Sequence, residues 1–433
     1  MKIPMAKPVC SIIVPVYNKG TLLAPCIESL CQMEMPEYEI ILVDDGSNDG
    51  AGDVCDAFAR QHRKIRVIHQ ENAGVVAARY RGWRVAGGGL IIFVDSDDRV
   101  EPDAYAGIIR MMMEDTSIDI GIPHMVYEYL DGHREEHFPD RRGRRMTPLE
   151  CAQEMVLRGQ AFIWNVGKVF RRSLMEKWLP DTSISIGEDL DMLWQLLGHA
   201  RNVLYDPEGA YRYFIHPGGT VYQDMLSYRV APAYRKVLEN FWAQDGAIEQ
   251  KLAIDGLMDA FRRVREMFFR DERKYSSEIE KTLQDIRFFA EHVDFQGNMP
   301  DIIQCMSHGY ASASACFMRV FQSMGEQAEK ARNYPYRYIY GTGKVSHFLG
   351  RVFEKKKISF VAYVVSDDRF RGGTFQGKPI LPLSKVETPS GDTAFSLALL
   401  PHFQKEVLSS LRVKGYQNVM IPETYPAFWR NGY

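Results

Sequence analysis

Residues 89–98 read GLIIFVDSDD, an apolar run that ends abruptly in acidic residues. Branched and aromatic side chains in such a run are typical of a buried strand. Three similar runs precede it along the chain, namely CSIIVPVY at 10–17, EIILVDDG at 39–46 and KIRVIHQ at 64–70. Helix-like sequence separates the four runs. The pattern therefore predicts an α/β fold with a parallel sheet whose ligands bind at the carboxyl ends of the strands.

Beyond this first α/β domain, which we place at residues 1–224, the pattern changes twice. Residues 225–332 show apolar positions at helical spacing on charged surfaces, which predicts a helical segment. From residue 333 short apolar strands return, with a helix-like stretch at 402–415. We expect a small Rossmann-like α/β domain over 333–433.

The composition excludes several classes of protein. The chain of 433 residues is 45% hydrophobic and 25% charged, and its formal net charge is -3. That charge argues against a non-specific nucleic-acid binder. There is no apolar run of about 18 residues and no signal-peptide core. The seven cysteines are scattered, as in a reduced compartment, so we expect a soluble, cytoplasmic protein.

An aromatic residue and an acid follow the first two strands, at Tyr17 and Asp45. The ring can stack on a nucleobase, and the carboxylate can accept the imino N–H of uracil. Two other interpretations stay open: Tyr17 can pack against a helix, and Asp44 and Asp45 can cap the helix that begins near Asp49.

A second acidic group, Asp95-Ser96-Asp97-Asp98, follows an uninterrupted apolar strand. Carboxylates crowded at a buried strand end repel one another unless a cation lies among them. Oxygen ligands with open positions suit Mg²⁺ or Mn²⁺ shared with substrate phosphates. The alternative is an acidic turn that favours the helix starting near Glu101.

Gly187-Glu188-Asp189 lies between a short apolar run and a helical stretch. A carboxylate at this break can act as a general base toward a substrate hydroxyl. Taken alone, the group would more often cap the following helix.

These motifs in series resemble the family 2 glycosyltransferases. The resemblance rests on several motifs in the same order and at similar separations, over about the first 220 residues. They are Pro15-Val16-Tyr17-Asn18, Asp44-Asp45-Gly46-Ser47, Asn72-Ala73-Gly74, Ala78-Arg79, Asp95-Ser96-Asp97-Asp98 and Gly187-Glu188-Asp189. The resemblance implies an A-type glycosyltransferase fold, a nucleotide-diphosphate sugar donor and inversion at the anomeric carbon.

Residue roles follow from the same resemblance. It implies that Asp97 is the direct ligand of Mn²⁺ or Mg²⁺ and that Asp189 is the catalytic base. The residues implied to bind the donor are Pro15, Tyr17, Asp45, Arg79, Asp95 and Ser96. His216, in a loop-like segment beyond the base, could add a metal or phosphate contact, although a loop histidine is more often solvated.

The resemblance also implies the partners and has two departures. We expect a UDP-sugar donor and a glycan or lipid-linked acceptor of surface polysaccharide synthesis. The residue after Arg79 is Tyr80, where the family often has Asn, and the chain lacks the transmembrane helices and Gln/Arg-rich motif of processive synthases. The basic run Arg141–Arg145 allows peripheral contact with the inner face of a membrane, although a solvated loop is the commoner explanation.

The C-terminal domain carries a second motif, Gly341-Thr342-Gly343-Lys344-Val345-Ser346, after an apolar strand. Such a turn can cradle a phosphate, but Ser346 replaces the third glycine of the dinucleotide fingerprint. The domain could bind a nucleotide or form a homodimer. Two rival functions therefore stay open: an NAD-dependent enzyme centred on this domain, and an inactive nucleotide-sugar-binding or scaffold protein.

Overall fold

The computed structural model describes most of the chain, and it divides into two compact units. The described residues are 7–35, 37–136, 143–158, 163–216, 229–271, 273–295, 301–341, 344–386, 390–397 and 401–420. The first unit comprises Met1–Glu266 and Phe288–Val293, and the second comprises Met267–Arg287 and Asp294–Tyr433. In the described ranges, no helix is both long enough and apolar enough to cross a membrane.

One mixed sheet forms the centre of the first unit. Its path runs β3-β2-β1-β4-β9-β6-β10-β5, with β7 paired to β6 and β8 paired to β10. The strands are β1 (Cys10–Val16), β2 (Tyr38–Asp44), β3 (Ile65–His69), β4 (Leu90–Phe93), β5 (Arg99–Val100), β6 (Ile120–Tyr129), β7 (Arg134–Glu136), β8 (Arg144–Met146), β9 (Val169–Arg171) and β10 (Val203–Ile215).

Helices connect these strands. They are α1 (Leu23–Cys31), α2 (Ala51–Gln61), α3 (Val75–Val85), α4 (Ala106–Glu114), α5 (Pro148–Val156), α6 (Arg172–Met175), α7 (Glu188–Leu197) and α8 (Ala231–Glu239). α9 (Gly246–Asp271) and α10 (Ser276–His292) follow, and the division between the two units falls within both helices. The sequence starts α5 with a capping box, in which Thr147 and Glu150 satisfy each other's backbone N–H groups.

The four strands expected from the apolar runs are present and parallel. β1 lies between β2 and β4, and β2 pairs with β3. Every residue of β1 is buried, which explains why its sequence is apolar without alternation. Because the four strands run in one direction, Tyr17, Asp45 and the acidic group after β4 emerge at the same edge of the sheet.

The expectation of a parallel sheet is wrong for the second half of this unit. β9 runs antiparallel to both β4 and β6, while β10 runs parallel to β6 and antiparallel to β5 and β8. β9 contains three residues and β5 two, which is too short for a period to be visible in the sequence. The α/β class and the A-type architecture are confirmed, with a mixed sheet.

The second unit contains helices and a separate sheet ordered β13-β14-β12-β11-β15-β16. In this sheet β11, β12, β14, β15 and β16 are parallel, and β13 pairs antiparallel with β14. Its elements are α11 (Asp301–Ser307), α12 (Tyr310–Arg332), β11 (Tyr336–Tyr340), α13 (Lys344–Lys355), β12 (Ala362–Val365), β13 (Thr374–Phe375), β14 (Lys378–Pro382), β15 (Thr393–Leu397), α14 (Pro401–Val413) and β16 (Val419–Met420). An additional C-terminal α/β region with its own sheet is therefore confirmed.

The predicted domain boundaries at residues 224 and 332 stay predictions. Nucleotide binding by the C-terminal motif also stays a prediction, because residues 342 and 343 of that motif lie outside the described residues. Residues 141 and 142 of the basic run also lie outside them. The expectation of a loop is wrong for Arg144 and Arg145, which belong to strand β8. Their side chains remain partly exposed and form ion pairs with Glu154 and Asp115.

The packing of α3 on β1 and β2 leads to a first prediction. Gly82 of α3 lies so close to the sheet that an added Cβ would stand 2.4 Å from Cγ2 of Ile13 and 3.2 Å from Cγ2 of Val43. Gly82→Ala should therefore lower the free energy of unfolding by about 1–3 kcal/mol, the usual cost of overpacking. Urea unfolding followed by tryptophan fluorescence measures the change.

The matched control is Gly246→Ala in α9, where an added Cβ meets nothing within 4 Å. That substitution should leave the unfolding midpoint unchanged or raise it slightly, since alanine favours helix. A wild-type midpoint for Gly82→Ala would contradict the tight packing of α3.

Candidate active site

A cavity of about 470 Å³ lies at the carboxyl ends of β1, β2 and β4. It brings together every residue that the sequence analysis proposed for the donor and the metal. These residues are Pro15, Tyr17, Asp45, Arg79, Asp95, Ser96, Asp97 and His216. Their roles stay predictions, but side chains separated by up to 201 positions in the sequence line a single space.

Tyr17 and Asp45 differ sharply in their surroundings. The Tyr17 side chain is 46% exposed, so its ring is available to a ligand and contributes little to the core. Asp45 is 3% exposed, and its carboxylate accepts hydrogen bonds from Nε2 of Gln70 and from the backbone N–H groups of Ala73 and Gly74. Asp45 thus ties the end of β2 to the start of α3, and it does not cap α2.

α3 carries Arg79 to the centre of the site. The guanidinium is 2% exposed, and Nη2 donates to Oδ1 of Asp95 at 3.0 Å. Nη1 donates to Oδ1 of Asp189 at 3.0 Å and to Oε1 of Glu188 at 3.2 Å. One cation therefore joins the end of β4 to the start of α7.

This cluster shifts the protonation of its members. Burial alone would lower the pKa of Arg79, but the charges of Asp189, Asp95 and Glu188 raise it above the ordinary value. Burial and the charge of Asp189 raise the pKa of Glu188 to about 7. Burial also raises the pKa of Asp95, against the charge of Arg79. The three acids outnumber the cation, so protonation of one acid costs little near neutral pH.

The acidic residues after β4 have different surroundings. Asp98 is 2% exposed and accepts hydrogen bonds from the hydroxyl of Tyr211 at 2.5 Å and from the backbone N–H of Phe214 at 2.8 Å. Burial and the neighbouring charges of Asp97 and Asp95 raise the pKa of Asp98 well above its usual range. Asp98 therefore ties β10 to the segment that follows β4, and this contact brings His216 to the cavity.

Asp97 faces His216 and Lys19. Nε2 of His216 lies 3.0 Å from Oδ2 of Asp97, and Nζ of Lys19 lies 2.5 Å from the same oxygen. Burial would raise the pKa of Asp97, but the charge and hydrogen bond of Lys19, with the contact to His216, lower it. The carboxylate is therefore ionised at neutral pH and can bind a cation.

The donor set fits a divalent cation that also binds substrate phosphates. No group of three or more His, Cys, Asp or Glu side chains in the described part of the chain could hold a metal by itself. Asp97 and His216 supply two ligands of suitable chemistry, and Mg²⁺ sites commonly take the rest from phosphate oxygens and water. Oγ of Ser96, buried beside them, has no hydrogen-bond partner within the described residues.

Asp189, a member of the Arg79 cluster, lines a second cavity of about 490 Å³. Arg79, Asp95 and Glu188 line both cavities, whereas Asp189 lines only the second. A carboxylate at the start of α7 could thus remove a proton from a group that enters from the second cavity. The alternative from the sequence was that this acidic group caps α7. No side chain caps α7, because its N-cap residue is Gly187.

Sequence reasoning missed several residues of the site. Lys19 follows the motif after β1 directly, and the pairing of β1 with β4 brings its ammonium beside Asp97. The position of Lys19 after β1 was visible in the sequence, but the pairing of β1 with β4 that gives it Asp97 as a partner was not. Tyr213, which lines both cavities, and Arg262 and Arg263, which line the second, had no comparable signal because they follow no recognisable motif.

Comparison with known families and proteins gives concordant results. The family described as "Glycosyl transferase family 2" matches residues 11–179. The putative glycosyltransferase EpsH of Bacillus subtilis is 33% identical over 232 residues, which cover 51% of this chain and 66% of EpsH. The glycosyltransferase GlyG of Streptococcus pneumoniae is 42% identical over 156 residues, covering 36% of this chain and 50% of GlyG. The chain thus spans half to two thirds of the length of these relatives.

Among solved structures, residues 1–349 of S. aureus TarS in complex with UDP-GlcNAc superimpose with a TM-score of 0.53. The match covers 73% of this chain and 91% of that structure, at 17% sequence identity. At this level of identity the likeness supports the fold.

The Arg79 cluster leads to a second prediction. Arg79→Met should lower the free energy of unfolding by about 3–5 kcal/mol, because buried carboxylates lose their counterion. Burial already raises the folded-state pKa values of Asp95 and Glu188 above their ordinary values while Arg79 lowers them, so without the cation they rise further. The loss should therefore be largest at pH 8 and should shrink toward pH 5, as the acids become protonated. Urea unfolding at both pH values measures it.

Arg172→Met is the matched control, because the Arg172 guanidinium donates to the carbonyl oxygens of Gly88 and Ala86. Carbonyl groups do not titrate, so this variant should lose the same stability at both pH values. An equal loss at pH 5 and pH 8 for Arg79→Met would contradict the electrostatic account.

Proposed function

Residues 11–179 of this chain belong to glycosyl transferase family 2, and from that premise we propose that the protein is an inverting transferase. It would pass a sugar from a nucleotide-diphosphate sugar to an acceptor hydroxyl. The observation that carries the proposal is the pair of cavities. The predicted donor and metal residues line one of them, Asp189 lines the other, and Arg79 lies between.

A UDP-sugar is the donor that the first cavity suits best. The exposed ring of Tyr17 can stack on a base at the mouth of the cavity. Asp45 already accepts three hydrogen bonds, and a carboxylate has about four acceptor positions, so one remains for the imino N–H of uracil. The TarS structures, which contain UDP and UDP-GlcNAc, support this choice by analogy of fold.

Metal dependence is part of the proposal. Asp97 and His216 would hold Mn²⁺ or Mg²⁺, which when bound neutralises charge on the departing nucleoside diphosphate. Lys19 contacts the same oxygen of Asp97 that a cation would need. We expect the Lys19 ammonium to move to the diphosphate oxygens when the site is loaded, since both partners are then better neutralised.

Asp189 is the proposed general base. Inversion by single displacement requires the acceptor oxygen and the leaving group on opposite faces of the anomeric carbon. Asp189 lines the cavity on the side away from Asp97, and Arg79 holds its carboxylate through Oδ1. The acceptor would be a hydroxyl of a surface glycan or of its lipid-linked precursor, as the family resemblance implies.

The metal hypothesis gives a third prediction. UDP should bind wild-type protein more tightly with Mn²⁺ than without it, and Asp97→Asn should lose this increment. We expect a loss of roughly tenfold or more in affinity, the scale of one charge-assisted contact. Isothermal titration with UDP, with and without Mn²⁺, measures both.

Asp103→Asn serves as the control, because it removes the same charge from an exposed position outside both cavities. Its Mn²⁺ increment should equal that of the wild type. Metal-stimulated binding of UDP that survives in Asp97→Asn would exclude Asp97 as the ligand.

A fourth prediction separates binding from chemistry at α7. Asp189→Asn keeps size and polarity but cannot accept the proton, so sugar transfer should fall by ~10²–10⁴-fold while UDP affinity stays unchanged. Glu188→Gln should cost less if Asp189 is the base. Transfer rates and UDP affinities of both variants, with circular dichroism as a test of folding, decide between them.

The opposite pattern would identify Glu188 as the base. Since the pKa of Glu188 is raised to about 7, transfer by a Glu188 base would decline below about pH 7. In that case the decline would vanish in Glu188→Gln together with most of the activity. Near-wild-type transfer in Asp189→Asn would remove Asp189 from the mechanism.

A further inference from the structure

The second cavity has an end that the proposed chemistry does not use. Arg262 and Arg263 of α9 line it, together with the rings of Trp164 and Tyr213. Resting on the proposed function, we propose that this cavity selects an acceptor that carries an anionic group, a phosphate or a carboxylate, bound by Arg262 and Arg263. The acceptor sugar would lie against the Trp164 and Tyr213 rings with its hydroxyl toward Asp189.

Charge is distributed unevenly along the cavity. Asp95, Glu188 and Asp189 belong to the Arg79 cluster at the end shared with the donor. The charged residues that line the remainder are Arg262, Arg263 and Asp259. Two guanidinium groups and one carboxylate give this end a positive balance. A neutral acceptor would not need such a balance.

Burial raises the pKa of Asp259 while the charges of Arg262 and Arg263 lower it, so this carboxylate lies near both arginines, but it offsets only one of their two positive charges. Its Oδ2 accepts hydrogen bonds from the backbone N–H groups of Val230 at 3.2 Å and of Ala231 at 2.9 Å, where α8 begins. Nε of Arg262 donates a hydrogen bond to the carbonyl oxygen of Met258 at 3.1 Å. A planar guanidinium presents paired N–H donors, and such a fork matches the oxygens of phosphate and carboxylate groups.

An aromatic wall supplies the contact for the sugar. The rings of Trp164 and Tyr213 stack with centroids 6.0 Å apart and planes at 24°, and Tyr127 packs edgewise against both. Both rings are partly exposed and line the cavity. A pyranose ring can cover such a surface with its C–H face, which buries apolar area without fixing the identity of the sugar. In this proposal Arg262 and Arg263 determine which acceptors bind.

The test compares neutral and anionic probes on the full-length protein. Binding of methyl β-glucoside, its 6-phosphate, methyl β-glucuronide and inorganic phosphate is measured by titration NMR, with and without saturating UDP and Mn²⁺. One or both anionic glycosides should bind wild-type protein roughly 10- to 100-fold more tightly than the neutral glucoside. The 6-phosphate and the glucuronide distinguish the two sources of charge, and inorganic phosphate shows how much affinity the anion supplies alone.

The double variant Arg262→Gln/Arg263→Gln should bind all three glycosides alike and keep wild-type affinity for UDP. Arg60→Gln, an exposed charge change on α2 outside both cavities, should leave the preference intact. If the double variant does not fold, Arg262→Lys and Arg263→Lys singly should each reduce the preference, because lysine keeps the charge and loses the fork.

Equal binding of neutral and anionic glycosides by wild-type protein would overturn the proposal. A preference that persists in the double variant would also overturn it, because the arginines would then not be its source. Failure of the proposed function is a separate result: UDP would not bind, while the titrations without UDP would still report on the anion site.

Discussion

The Arg79 guanidinium is the interaction on which the rest of the site depends. Its three carboxylate partners come from two places, Asp95 after β4 and the pair Glu188 and Asp189 at the start of α7. Acids so close together would repel one another if the cation were absent. The arginine therefore fixes the separation between the end of β4 and the start of α7. An arginine suits this position because its fixed fork can bind several carboxylates at once and its charge survives burial.

A second constraint holds the two halves of the sheet in register. Asp98 is buried and accepts hydrogen bonds from the Tyr211 hydroxyl and from the Phe214 backbone, so it binds β10 to the end of β4. Tyr213 and His216 are carried on or just after this part of β10. Neighbouring acids in one short sequence thus perform different tasks. Asp98 organises the fold, Asp95 joins the Arg79 cluster, and Asp97 remains at the cavity with His216.

The sequence was sufficient to predict a strand where its apolar pattern was long, and to predict a site where several motifs followed one another at the expected separations. The strands β1 to β4 were predictable because each appears in the sequence as an apolar run bounded by polar residues. The residues proposed for the donor came from the family resemblance, and the structure shows that they line one cavity. β5 and β9 were not predictable, since two or three residues cannot display a period. Lys19 was missed because its effect depends on which strand lies beside β1, and strand order is a property of the tertiary structure. Asp98 could not be told from Asp97 for a related reason: adjacent residues of one chemical type differ only in the partners that the fold gives them.

The two cavities draw on different parts of the chain. Most residues that line the first lie within residues 11–179 that match the family, on the segments after β1, β2 and β4 and on the stretch from Asn72 to Arg79. The far end of the second is built by α8 and α9, from Tyr234, Asp259, Arg262 and Arg263, which lie beyond the matched residues. Donor chemistry places the same demands on every enzyme that uses one nucleotide, whereas acceptors differ. Among the described residues, the hydrogen-bond partners of Arg79 lie after β4 and at the start of α7, and none lies on α9. Substitutions on α9 can therefore change the far end of the second cavity without removing a contact of Arg79. If the proposed anionic acceptor is correct, α9 contributes the charged part of its site, and the variants of Arg262 and Arg263 address that contribution directly.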